Sequence, residues 1–135
     1  MQEINVYVKG VVYQNKDKGY ALSAWAVKGE PVHYIEHEIE SAYGAEWEAM
    51  RHAVESKGSD DTILHIFSNQ KAMIDKINRI QYECHNRKID MPDLPKYITT
   101  QCDFVWVPLK ESPADLLRLR DIVMREVEKR GKARV

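Results

Sequence analysis

Cysteine, long apolar runs and a dominant charge are all scarce in this chain, and each scarcity excludes something. Cys84 and Cys102 are its only cysteines, and their spacing suits neither a zinc site nor a disulfide framework. They read as reduced intracellular thiols. No apolar run approaches the ~18 residues of a membrane span. The opening segment, MQEINVYVKG, also lacks a signal peptide's layout, so the expectation is a cytoplasmic protein with no membrane partner. Formal net charge is −1, so no overall field draws the chain to nucleic acid, and any such affinity must come from a local patch. Repeats, low-complexity segments and composition breaks are missing too, so residues 1–135 read as a single domain. What remains, 44% hydrophobic and 30% charged residues, is the composition of a soluble globular protein with a sizeable core.

Residues 3–13, rich in β-branched and aromatic types, predict a first strand with Lys9 and Gly10 inside it. A polar loop over 14–19 leads to a second strand at 20–28, and a Gly29-Glu30-Pro31 turn leads to a third at 32–40. Short connections make these an antiparallel meander. The stretch 41–56 has helical period, with Ala42, Ala45, Ala49, Met50, Ala53 and Val54 on one side. Glu46 interrupts that apolar side and must find a partner or a metal inside the fold. Residues 62–68 form a short apolar strand, followed by a helix to about residue 87 whose stripe uses Ala72, Met73, Ile77 and Ile80. Residues 88–101, with Pro92 and Pro95, predict an irregular loop. A fifth strand follows at 103–107. Ser112, Pro113 and Asp115 resemble a helix start with a Ser cap and a capping-box acid. The last helix runs to about residue 130 with Leu116, Leu119, Val123 and Val127 inward, and the basic tail GKARV is expected to fray. The order is βββαβαβα, an α/β architecture with a five-stranded mixed sheet flanked by helices.

Local motifs fall on these elements in a recognisable sequence. They are Tyr7-Val8-Lys9-Gly10 with Asn15 and Gly19, then Ala45-Glu46 with Ala49 and Ala53, then Phe67-Ser68-Asn69-Gln70, and finally Trp106-Val107-Pro108. The chain resembles the ribonuclease H-like family, the type 1 ribonuclease H fold, over roughly residues 3–127. That resemblance implies metal-dependent hydrolysis of RNA in RNA–DNA hybrids, with four carboxylates clamping two Mg²⁺ about 3.5–4 Å apart.

Here the residues depart from the family. The first-strand Asp is Lys9 and the fourth-strand Asp is Asn69, which leaves Glu46 and one late acid. The two replacements change the local charge by about +3, and a fixed ammonium opposes a dication. The late acid is Asp121 on the spacing of its apolar neighbours, with Asp115 the alternative. The Lys9 ammonium is expected to pair with Glu46 and more weakly with Asp121, while Asn69 donates its amide to a carboxylate. Asn69 could equally cap the second helix. The resemblance makes Asn15 and Gln70 the candidates for substrate contact. The family's Thr-Asn-Asn is here Ser41-Ala42-Tyr43, and the loop after Pro108 has no His. His33 and His37 share a strand face without a third ligand, and Trp25, Trp47 and Trp106 are most simply packing residues.

The expectation is therefore a non-catalytic ribonuclease H-like domain, needing no cofactor, that binds an RNA–DNA hybrid, RNA or a protein partner. The alternatives are a Mg²⁺-dependent endonuclease with an unusual acid set, and a pure protein-interaction module.

Overall fold

The computed structural model describes residues 1–38, 41–86 and 101–133. Strands β1 (Gln2–Asn15), β2 (Lys18–Val27) and β3 (His33–His37) form the antiparallel meander. Helix α1 (Ala42–Lys57), strand β4 (Thr62–Ser68), helix α2 (Lys71–Asn86), strand β5 (Gln101–Trp106) and helix α3 (Ala114–Arg130) follow, with a 3₁₀ turn at Leu109–Glu111. The sheet order is β3-β2-β1-β4-β5, with β4 parallel to both β1 and β5. The βαβ crossovers thus place β1 at the centre, between its hairpin partner and its parallel partner.

Alternation along β1 builds two cores. Val6 and Val8 face α1 and α2, where they meet Ala49, Met50, Ala53, Leu64, Ile66, Met73 and Ile77. Tyr7, Val11 and Tyr13 face the other way, onto Leu116, Leu119, Val123 and Val127 of α3. A strand buried on both faces has to read as a near-continuous apolar run, as NVYVKGVVY does, with Lys9 its one charged exception.

Several sequence expectations are corrected here. The hairpin loop is only Lys16 and Asp17, because Gln14 and Asn15 still pair with Gly19 and Lys18. Their polar side chains point to solvent and do not prevent the ladder, and Lys16 takes the left-handed backbone (φ 57°) that so tight a turn demands. A sixth strand, β6 (Lys132–Ala133), comes from the tail expected to fray and pairs antiparallel with Tyr13 and Gln14 of β1. On α2 the buried stripe is Met73, Ile74 and Ile77, and Ala72 is exposed. The irregular loop expected over 88–101 lies outside the described residues, apart from Gln101, which already begins β5.

Candidate functional site

The site grows from a mismatch in strand length. The β1–β4 ladder ends at the Tyr7 and Phe67 pair, and β6 joins β1 only at Tyr13. Between those points one edge of β1 opens onto a notch, and the Gly10 N–H points into it. Helix α1 lies directly over this spot. A Cβ on Gly10 would stand 2.3 Å from the Glu46 backbone nitrogen and 2.6 Å from the Ala45 Cβ, so only glycine permits the approach. Ser23, which pairs with Gly10 in register, fixes α1 further by donating its hydroxyl to the Ala45 carbonyl at 2.7 Å.

Glu46 drops from α1 into the notch and is 2% exposed. Its Oε1 accepts the Gly10 N–H at 3.1 Å and its Oε2 accepts the Ser68 hydroxyl. The Lys9 ammonium stands 3.8 Å from Oε1, an ion pair without a direct hydrogen bond. Burial pushes the Glu46 carboxyl above the usual range, and the Lys9 charge, the Ser68 hydroxyl and the Gly10 N–H pull it part of the way back. Ser68 is itself oriented by the Gln70 N–H, which donates to its Oγ at 2.9 Å.

Asn69 neither reaches a carboxylate nor caps α2, contrary to both expectations. Its Nδ2 donates to the Val107 carbonyl at 2.7 Å and to Ser112 Oγ at 2.8 Å, and its backbone carbonyl accepts the Trp106 indole N–H at 3.2 Å. The amide is oriented by these two Nδ2 bonds, which leave its buried Oδ1 without a partner and off the helix N–H groups, so Asn69 ties β4 to the connection before α3. The Ser112 hydroxyl, which donates onward to the Pro108 carbonyl, is consequently unavailable as a helix cap. Helix α3 starts after Pro113 without any side-chain cap, which removes the capping-box role from Asp115. Asp115 instead lies against the Tyr7 hydroxyl; burial first, and then this carboxylate, raise the Tyr7 pKa. Asp121 is exposed, on the side of α3 opposite Leu116, Leu119 and Val123.

The structure therefore brings Lys9 and Glu46 together, places Asn69 directly after the Ser68 that bonds Glu46 but with its amide nitrogen turned to Val107 and Ser112, and leaves Asp121 in solvent. Asn15 is exposed at the hairpin tip, and Gln70 enters the site through its backbone N–H. His33 stacks on Trp25 with ring centroids 4.1 Å apart. Among the described residues no group of three His, Cys, Asp or Glu side chains is placed to hold a metal ion. Sequence reasoning missed Ser68 and Ser23 as site members. Parity carried the signal for Ser68: it falls in step with Thr62, Leu64 and Ile66, so its hydroxyl had to be buried.

No protein-family model and no curated protein sequence matches the chain. Its fold is similar to that of a solved structure, a foamy viral protease-reverse transcriptase in complex with double-stranded DNA. The TM-score is 0.65 at 12% identity, covering 88% of this chain and 90% of that one. At that identity the likeness is one of fold, a ribonuclease H-like mixed sheet flanked by helices. No helix among the described residues is long and apolar enough to cross a membrane.

Proposed function

We propose that this chain is a non-catalytic ribonuclease H-like domain whose notch is held by protein groups instead of metal ions, and that it binds nucleic acid, an RNA–DNA hybrid or RNA. One observation carries the reading. Both oxygens of Glu46, the one buried acid among the described residues, are already engaged by Gly10 and Ser68, with the Lys9 ammonium beside them. A Mg²⁺ ion asks for several oxygen ligands in near-octahedral array. A single carboxylate that already accepts two hydrogen bonds, next to a fixed cation, does not fit that demand. Asn69 spends its amide nitrogen on Val107 and Ser112 and could offer a metal no more than the neutral Oδ1 left without a partner, and Asp121 faces solvent, so the four-acid set is not made up. The likeness to a structure solved with double-stranded DNA supports nucleic acid as the ligand class.

The near-neutral net charge favours a second reading, a protein-interaction module, because phosphate neutralisation needs clustered cations. Two measurements separate the possibilities. Purified chain incubated with a labelled RNA–DNA hybrid and Mg²⁺ or Mn²⁺ should leave it uncut, and an immobilised hybrid should retain the chain at low salt and release it as salt rises. Metal-dependent cutting that vanishes in Glu46→Gln would establish the nuclease alternative. Absence of retention at low salt would leave the protein-interaction reading.

A further inference from the structure

On the face of the sheet opposite α1, a cavity of about 230 Å³ opens between the β2–β3 turn and the first half of α3. Tyr7, Ala26, Val32, Leu119 and Ile122 give it an apolar wall, and charged residues line much of the rest. Space continues over the turn, where Gly29 takes a positive φ of 83° and an added Cβ would meet nothing within 4 Å. The volume falls below the ~300–1,000 Å³ typical of drug-sized sites, so it suits a single ring with one attached group.

The charges at the mouth are asymmetric once their partners are counted. Four charged residues line it: Lys28, Glu30, Asp115 and Arg118. Both acids are engaged. Glu30 accepts from the Lys57 ammonium at 2.7 Å, and Asp115 lies against the Tyr7 hydroxyl. Neither cation is: among the described residues no carboxylate lies within 4.0 Å of the Lys28 or Arg118 head group. Two exposed, unmatched cations rim an apolar recess whose own acids are spoken for.

We propose that this cavity binds a small anionic molecule with a compact apolar ring, the ring against Tyr7 and Leu119 and the anionic group held by Lys28 and Arg118. Arg118 offers a planar fork of donors suited to a carboxylate or a phosphate, and Lys28 adds a mobile point charge. The apolar wall supplies area-dependent affinity, and the two cations supply the discrimination between charged and neutral ligands.

The test is a titration of the ¹⁵N-labelled full chain, followed by amide chemical shifts. Benzoate and phenyl phosphate present the ring with either anionic group, benzamide presents the ring without charge, and inorganic phosphate presents charge without the ring. Saturable shifts at Gly29, Val32, Leu119 and Ile122 are expected with benzoate or phenyl phosphate at a dissociation constant of order 1 mM. Whichever binds more tightly identifies the preferred head group. Benzamide should bind roughly tenfold more weakly, and Lys28→Gln with Arg118→Gln should erase that preference. Both residues are exposed and outside the core, so the double variant should keep the wild-type spectrum elsewhere. Equal affinity for benzamide, equal affinity for inorganic phosphate, or no saturable shift with either ring anion would overturn the proposal.

Discussion

At the scale of single residues, two charged side chains set testable behaviour. Lys9 is the only charge in the buried run of β1, and its pairing with Glu46 offsets part of the cost of burying that carboxylate. Lys9→Ala should destabilise the fold near the lower end of the ~3–5 kcal/mol typical of breaking a buried pair, because Glu46 keeps its two hydrogen bonds and can take up a proton. Lys9→Met, which keeps the volume, should lose less, and urea unfolding of both variants checks the order. His65 supplies the pH dependence. Its Nδ1 lies 3.2 Å from Asp103 Oδ2 and its Nε2 lies 3.0 Å from Glu3 Oε1, so β1, β4 and β5 meet on one ring. A neutral imidazole has one N–H, and only the imidazolium donates to both acids. The hydrogen bond to Glu3, then that to Asp103, raises the His65 pKa. A raised folded value means that this stabilisation is fully present below the unfolded value of about 6.5 and is lost as pH rises through the folded one. The ring C–H resonances of His65 should titrate above the midpoint of a free histidine, and Glu3→Gln or Asp103→Asn should move that midpoint down. An unshifted midpoint in the wild type would sink the assignment.

Elements meet at Gly10, where helix and strand come closer than any side chain allows. A Cβ at 2.3 Å from a helix backbone nitrogen has no flexible neighbour to displace, so α1 itself must move. Gly10→Ala should therefore destabilise the fold at the upper end of the ~1–3 kcal/mol typical of overpacking, or beyond it. Because Glu46 rides on that helix, the variant should also loosen the bonds from the residue 10 N–H and from Ser68, seen as lower protection of the amide at position 10 than in the wild type. This junction also divides what was legible in the sequence from what was not. Alternation and helical period are local, so the element order, the inward residues of α3 and the burial of Glu46 could be read directly. Asn69, Ser112 and Asp115 could not. Each has a short-range role suggested by its neighbours, cap or capping-box acid, and each is recruited by a group far along the chain: Val107, Asn69 and Tyr7. The two-residue β6 was hidden for the same reason, since its register is set by Tyr13 and Gln14 and not by its own composition.

For the molecule as a whole, the question is how the centre of the sheet holds together around Glu46, the one buried acid among the described residues. The Glu46 carboxylate of α1 is held by the chain itself: by the Gly10 N–H of β1, the Ser68 hydroxyl of β4 and the nearby Lys9 ammonium. The stability of such a centre should be indifferent to divalent metal. A ligand that binds only the folded state raises the melting temperature by mass action, by about 2.7 kcal/mol of added stability at a hundredfold excess over its dissociation constant. Millimolar Mg²⁺ should thus leave the melting temperature of the wild type unchanged. Lys9→Asp reverses the charge at the mouth of the notch and sets a second carboxylate beside Glu46. Without metal the variant should be less stable than wild type, since two acids then face each other across a few ångströms. With Mg²⁺ it should recover part of that loss in a saturable way, whereas the same concentration of Na⁺ should recover much less. A saturable rise in the wild type would show that Lys9 does not occupy the notch in solution. A variant that ignores Mg²⁺ would show that Glu46, held by Gly10 and Ser68, cannot turn a lone pair toward a metal even when the cation is gone.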